Sequence, residues 1–161
     1  MSLLDEYHEA RRGEDVARLR RVLALRAMAA SGLSQRQIAD DLGISQPAVS
    51  QQLRAKFTLD IDGAPAPAEL LLDAAAPPLK ELASHMGFSD LAVFGSVARH
   101  DVRPNSDINL LVTPPPGATL EDLSRFRKAL EQTLGRHVDI ATYGGLTPGV
   151  DEDILSEATP L

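Results

Sequence analysis

The sequence predicts an all-α domain followed by a small α/β domain. Before residue 58, apolar residues recur at three- and four-residue steps between glycine stops, a pattern typical of short helices. After residue 66, short apolar runs typical of buried strands alternate with helical segments. Between these parts, residues 58–66 include the helix breakers Gly63 and Pro65. We therefore expect an N-terminal domain at 1–57, a linker at 58–66 and a C-terminal domain at 67–161.

Composition and charge narrow the possible functions. No apolar run approaches the roughly 20 residues of a membrane-spanning helix, and the N-terminus lacks a basic segment followed by an apolar one, so we expect a cytoplasmic protein. Residues 1–57 carry nine Lys/Arg against seven Asp/Glu, a net charge of +2. Residues 58–161 carry seven against sixteen, a net charge of −9, and the two sum to the total of −7. This asymmetry suggests that only the N-terminal domain meets a polyanion.

The N-terminal domain is predicted to contain three helices. Apolar positions at helical spacing predict the first over residues 16–30. Ser34 and Gln37 form a Ser-x-x-Gln capping box at the start of the second, which ends at Gly43. Ser45 then caps a third helix.

The second and third helices have the internal logic of a helix-turn-helix. Ala39 is small where the helices would cross, and Gly43 permits the tight turn. The shared core is predicted to contain Ile38, Leu42, Val49 and Leu53. The outer face of the third helix is predicted to carry the DNA-binding residues Gln46, Ser50, Gln51 and Arg54.

Over about twenty residues this pattern resembles the helix-turn-helix regulators of bacteria. The resemblance implies binding to operator DNA, and we expect a homodimer, formed through the N-terminal domain, on paired half-sites. The alternative is a helical hairpin that only packs against the second domain or against a partner.

The C-terminal domain is predicted to alternate helices and strands. A helical segment precedes the first strand and is interrupted by Pro77-Pro78, so it forms either one kinked helix or two short ones. The segments that follow are a strand at 90–95, a short helix, a strand at 107–112, a helix capped by Thr119 and closed by Gly135, and a strand at 137–143.

Residues of this domain suggest a phosphate and metal site. Gly95-Ser96 forms a turn after a strand, where backbone N–H groups can approach phosphates closely. Residues two apart on a strand share a face, so Asp107 and Asn109 point the same way. Asp139, on a neighbouring strand, is placed to hold a metal ion or to accept a proton from an attacking hydroxyl.

The segments "GSVAR", "SDINLLV" and "VDIATY" resemble the minimal nucleotidyltransferases, small members of the polymerase-β-like superfamily. The resemblance covers about residues 67–161 and implies a nucleotidyltransferase fold with a mixed sheet, Mg²⁺ as cofactor and ATP or another nucleoside triphosphate as substrate. The implied catalytic residues are Asp107, Asn109 and Asp139. The implied nucleotide-binding residues are Gly95, Ser96 and Arg99. The implied metal ligands are Asp107 and Asp139.

The fusion to a helix-turn-helix resembles a bacterial group of antitoxins. It implies a cognate toxin as partner, often an RNase of the helical HEPN type, neutralised by AMP transfer or by direct binding. The alternatives are a nucleotidyltransferase for a small molecule such as an aminoglycoside, and a transcription regulator that senses a nucleotide. The short chain disfavours the former, because such enzymes usually need an added domain for the acceptor.

The sequence departs from the family pattern at two positions. Asn109 stands where the family has a second metal carboxylate, and His100 stands where a glycine usually follows Ala-Arg. Asparagine keeps an oxygen ligand but lacks the negative charge that hard cations favour. Asn109 is interpreted as natural loss of catalysis, as a laboratory substitution, or as the mark of a weakly active natural variant.

Overall fold

The computed structural model describes residues 1–54, 60–61, 64–65, 67–99 and 107–161. The helices are α1 Leu3–Ala30, α2 Gln35–Leu42, α3 Gln46–Arg54, α4 Ala68–His85, α5 Leu120–Leu134 and α6 Glu152–Glu157. The strands are β1 Asp60–Ile61, β2 Ala64–Pro65, β3 Ser89–Phe94, β4 Ile108–Thr113, β5 Val138–Thr142 and β6 Thr159–Pro160. This arrangement confirms the predicted helical region followed by a small α/β domain.

Local capping signals set the helix ends. The Ser34 hydroxyl accepts a hydrogen bond from the Gln37 backbone N–H at 3.1 Å, and the Gln37 side chain accepts one from the Ser34 N–H at 2.9 Å. Gly43, with φ +67°, ends α2 in the left-handed conformation that glycine adopts without strain. At α5, the hydrogen bond from the Thr119 backbone N–H to Asp122 lowers the pKa of that carboxyl.

The core of the helix-turn-helix differs from the prediction at one position. Ile38, Ala39 and Val49 are buried, and Leu53 packs against them. Leu42 is 47% exposed, so its predicted place in this core is wrong. Leu25 of α1 is buried in this cluster, so part of the apolar contact comes from a helix outside the predicted pair.

The long helix α1 belongs to both halves of the molecule. Its residues Leu19 and Leu23 lie in the core of the α/β domain, where α1 packs against α4 and α5. Six residues after Leu19, Leu25 lies in the core of the helix-turn-helix. A single helix therefore connects the two hydrophobic cores.

The helix α4 runs without interruption across Pro77 and Pro78. Of the two predicted alternatives, the single helix is therefore observed. Ala75 and Leu79, on either side of the prolines, are fully buried, and this packing offsets the hydrogen bonds that proline cannot donate. No helix in the described part of the chain is long and apolar enough to cross a membrane.

The main sheet has four strands in the order β5-β4-β3-β6. The pair β4–β5 is parallel, whereas β3 runs antiparallel to both β4 and β6, so the sheet is mixed as predicted. Helix α5 covers it with Phe126, whose ring stacks on Phe88 at a centroid distance of 4.0 Å.

Two connecting segments remain to be compared with the prediction, the one after β3 and the predicted linker. Residues 95–99 form a turn, so the predicted short helix is absent there. Most of the predicted linker, 58–66, lies outside the described residues. The described part contains β1 and β2, which pair as a two-residue antiparallel ladder.

Replacement of Leu23 tests whether α1 stabilises the α/β domain. Leu23 is fully buried in that core, so Leu23→Ala should lower the free energy of unfolding by about 2–5 kcal/mol. The matched control is Leu120→Ala at the start of α5, where the side chain is 85% exposed and the change should stay within about 0.5 kcal/mol. Urea unfolding followed by circular dichroism measures both values, and equal effects would contradict the shared core.

Candidate functional site

The candidate site begins where β3 ends. Phe94, the last residue of β3, pairs with Asn109 of β4, and Gly95 follows with φ +80°. The Arg99 backbone N–H donates a hydrogen bond to the Gly95 carbonyl at 3.1 Å, which closes the turn. The predicted nucleotide-binding residues Gly95 and Ser96 therefore lie directly beside the β4 residue that departs from the family pattern.

The backbone of Gly95 packs directly against the side chain of Asn109. A Cβ atom at Gly95 would lie 2.7 Å from Asn109 Nδ2, closer than side chains approach in folded proteins. Glycine is therefore favoured at this position by its backbone conformation, and a larger residue would also have to displace the Asn109 amide.

The parallel register of β4 and β5 determines which polar residues meet. Asn109 lies opposite Asp139, and Ile108 lies opposite Val138. Ile108 and Val138 are fully buried, so the alternate residues of both strands point away from the core. Residues 107, 109, 137 and 139 therefore lie on one face of the sheet, where β4 and β5 begin. We call this surface the polar edge.

Three side chains on this edge converge as the Asp–His–Asp cluster, which consists of Asp107, His137 and Asp139. One ligand atom from each lies within 4.8 Å of the others, and all three residues are exposed. The structure thus brings together the two predicted metal ligands, and the cluster could hold a metal ion. Asn109 follows Asp107 by two residues and lies opposite Asp139 in the register.

His137 was missed in the sequence, although it precedes Asp139 by two residues and so shares its strand face. Its Nε2 atom lies 3.2 Å from Asp139 Oδ1, and its Nδ1 atom lies 2.9 Å from Glu131 Oε1. The same Glu131 oxygen accepts a hydrogen bond from the Val138 backbone N–H at 3.1 Å. Glu131 of α5 therefore holds both the ring and the start of β5.

The third predicted nucleotide-binding residue, Arg99, is held by the C-terminal segment. Its guanidinium lies 3.0 Å from both carboxylate oxygens of Glu157 in α6. The pair is partly exposed, so solvent weakens it. His100, the second departure from the family pattern, lies outside the described residues.

The predicted DNA-binding residues line one shallow depression on α3. Gln51 and Arg54 are exposed, and Gln46 donates a hydrogen bond to Gln35 Oε1 at 2.7 Å. Ser50 is only 9% exposed and lies at the floor of the depression. The three longer side chains are thus the ones that extend from this surface.

Comparison with known families separates the chain into the same two parts. Residues 79–161 match the family described as a nucleotidyltransferase domain. Residues 15–64 match a homeodomain-like domain, which is a helix-turn-helix variant. The second match includes the latter half of α1 together with α2 and α3.

Individual relatives match about half of the chain. A protein of Methanocaldococcus jannaschii, named provisionally as a protein adenylyltransferase, is 40% identical over 72 residues, which are 45% of this chain and 77% of that protein. A protein adenylyltransferase of Thermococcus cleftensis is 31% identical over 78 residues, 48% of this chain and 79% of that protein. A solved structure described provisionally as a minimal nucleotidyltransferase is 42% identical with a TM-score of 0.53, covering 58% of this chain and 95% of that one.

Substitution of Gly95 tests the close approach to Asn109. Gly95→Ala should lower the free energy of unfolding by at least about 1 kcal/mol more than Gly117→Ala. Gly117 is the matched control, because its φ of +75° is similar but nothing lies within 4 Å of an added Cβ. Thermal and urea unfolding of both variants give the difference. An equal decrease in the free energy of unfolding of both variants would show that the contact between Gly95 and Asn109 does not affect stability.

Proposed function

Because the chain belongs to the nucleotidyltransferase domain family, we propose that it is the DNA-binding antitoxin of a toxin–antitoxin pair. The N-terminal domain represses its own operon, and the C-terminal domain neutralises the toxin, a HEPN-type RNase. The observation that carries this proposal is the Asp–His–Asp cluster, which lies exposed beside the Gly95 turn in a chain that also has a helix-turn-helix.

The site's own residues fit a nucleotide and a divalent cation. Gly95 and Ser96 would hold the triphosphate through backbone N–H groups, and Asp107 and Asp139 would hold Mg²⁺. Among the described ion pairs, Asp139 faces His137 and no Lys or Arg, so its charge stays available for a cation. A bound cation would neutralise negative charge that develops on the phosphates.

In the proposed reaction, a hydroxyl oxygen of the toxin forms a bond to the α-phosphorus of ATP. The bond from that phosphorus to the oxygen bridging to the β-phosphate breaks, and pyrophosphate leaves. Asp139 accepts the proton of the attacking hydroxyl. The names of the two archaeal relatives, both protein adenylyltransferases, support ATP as the donor and a protein as the acceptor.

The exposure of the site also favours a protein acceptor. Asp107, His137 and Asp139 are all exposed, and sites for small acceptors usually enclose most of the ligand surface. An open edge of a sheet instead admits a side chain presented by a second protein.

Asn109 decides between the two routes of neutralisation. It lies opposite Asp139 and two residues after Asp107, but it adds no negative charge to the cation site. A loss of about 3 kcal/mol in transition-state stabilisation would slow the reaction by a factor of more than about one hundred. AMP transfer is the route if Asn109 suffices as an oxygen ligand, and direct binding through the same surface is the route if it does not.

The N-terminal domain supplies the operator-binding face. Gln46, Gln51 and Arg54 extend from α3, and Ser50 lies beneath them. Glutamine amides suit hydrogen bonds to base edges, and the guanidinium suits a guanine or a phosphate. The net charge of +2 in residues 1–57, against −9 in the rest, favours approach of DNA to this end of the chain.

The start of α1 supports dimer formation through the N-terminal domain. Leu3, Leu4 and Tyr7 are all more than half exposed, and they lie within one or two helical turns of one another. A second copy of this helix would cover them. Such a dimer would present two copies of α3 to paired half-sites.

DNA binding can be tested with alanine variants of α3. Gln46→Ala or Gln51→Ala should weaken operator binding by about 1–3 kcal/mol and random-sequence binding far less. Arg54→Ala should weaken both, and Gln52→Ala, exposed on the same helix away from the depression, is the control. Fluorescence anisotropy over a salt series measures the affinities and the number of chains per operator. A salt-independent affinity, or one chain per operator, would contradict this part of the proposal.

The role of Asn109 can be tested by restoring the carboxylate. The protein and its Asn109→Asp variant are mixed with Mg²⁺, ATP labelled in the α-phosphate, and the RNase encoded beside it. If a missing charge limits the reaction, Asn109→Asp should label the partner more than about a hundredfold faster. Adding Asp107→Asn to that variant should remove the labelling.

The remaining outcomes of this assay are equally informative. Equal labelling by both forms would show that asparagine suffices as a ligand and that neutralisation proceeds by AMP transfer. Tight partner binding without labelling by either form would assign neutralisation to direct binding. Neither binding nor labelling would overturn the antitoxin proposal.

A further inference from the structure

The ring of His137 is fixed on both sides by carboxylates. Glu131 Oε1 lies 2.9 Å from Nδ1, and Asp139 Oδ1 lies 3.2 Å from Nε2. Glu131 is itself anchored, because its oxygen also accepts the hydrogen bond of the Val138 backbone N–H. The histidine is therefore oriented by a helix–strand contact, and its Nε2 edge faces the predicted cation ligands.

The contact with Glu131 leaves Nε2 as the ring nitrogen that faces Asp139. A carboxylate oxygen only accepts, so Glu131 Oε1 can take a hydrogen bond from Nδ1–H, while Asp139 Oδ1 can face either a proton on Nε2 or a cation bound to Nε2. The pattern of carboxylate, histidine and cation is a recurrent way to orient a metal-binding imidazole.

The distance between the two ligand atoms fits one shared ion. With metal–ligand bonds of about 2.1 Å, a separation of 3.2 Å corresponds to an angle of about 100° at the metal. Asp107 contributes a third atom, and all three lie within 4.8 Å of one another. One nitrogen and two oxygen donors can therefore reach the same cation.

We propose that His137 is a ligand of the site's cation and that the Asp–His–Asp cluster therefore prefers a transition ion such as Zn²⁺ or Co²⁺ to Mg²⁺. Imidazole suits transition ions, whereas Mg²⁺ favours oxygen donors. The neutral Asn109 strengthens this preference, because it withholds the charge that a hard cation favours. The inference rests on the proposed function, since it names the metal of the same site.

The test compares two metals on the full-length protein. Isothermal titration with Zn²⁺ and with Mg²⁺ gives an affinity for each, and Co²⁺ gives a visible spectrum that reports nitrogen ligation. His137→Ala should weaken Zn²⁺ binding by about tenfold or more and shift the Co²⁺ spectrum. Mg²⁺ binding should change by less than about twofold, because its ligands are oxygens. His85→Ala, an exposed histidine on α4, is the control and should change neither affinity.

A second variant separates the ring from its support. Glu131→Gln keeps a similar shape but lacks the charge that orients Nδ1, so it should weaken Zn²⁺ binding by about tenfold and leave Mg²⁺ binding unchanged. If His137→Ala leaves Zn²⁺ affinity intact, or lowers both affinities equally, the role of His137 is refuted while the cation site stands. If the protein binds neither ion, the cation site of the proposed function fails as well.

Discussion

The parallel pairing of β4 with β5 is the constraint on which the candidate site depends. Its register places Asn109 opposite Asp139, and the fully buried Ile108 and Val138 opposite one another. Side chains alternate along a strand, so a slip of one residue would expose the apolar side chains and bury the carboxylates. The hydrophobic core therefore fixes the geometry of the polar edge, and the Asp–His–Asp cluster follows from the packing beneath it.

The two domains are joined by the helix α1 as well as by the predicted linker. Helix α1 contributes Leu23 to the core of the α/β domain and Leu25 to the core of the helix-turn-helix. The helix-turn-helix and the nucleotidyltransferase domain are thus built on one helix. The predicted linker assigns the whole of α1 to the N-terminal domain. The match to the homeodomain-like domain begins only at residue 15, within this helix.

Local chemistry explains what the sequence could predict. The capping box of Ser34 with Gln37 depends on residues three apart, and both it and the cap at Thr119 were predicted correctly. The period of two along β4 was enough to place Asp107 and Asn109 on one face, and Asp139 was proposed from its place on a neighbouring strand. The contact of Glu131 with His137 was not predictable in this way, because it requires the packing of α5 against β5. Strand β6 was missed for a related reason, since two residues carry too little pattern to identify a strand.

The polar edge of β4 and β5 is proposed to hold a nucleotide and its cation. Crystals grown with Mn²⁺ and a non-hydrolysable ATP analogue, measured at the manganese absorption edge, test it most directly. The account predicts an anomalous peak bounded by Asp107, His137 and Asp139, with the triphosphate against the Gly95 turn. A peak elsewhere, or nucleotide density away from that turn, would contradict it.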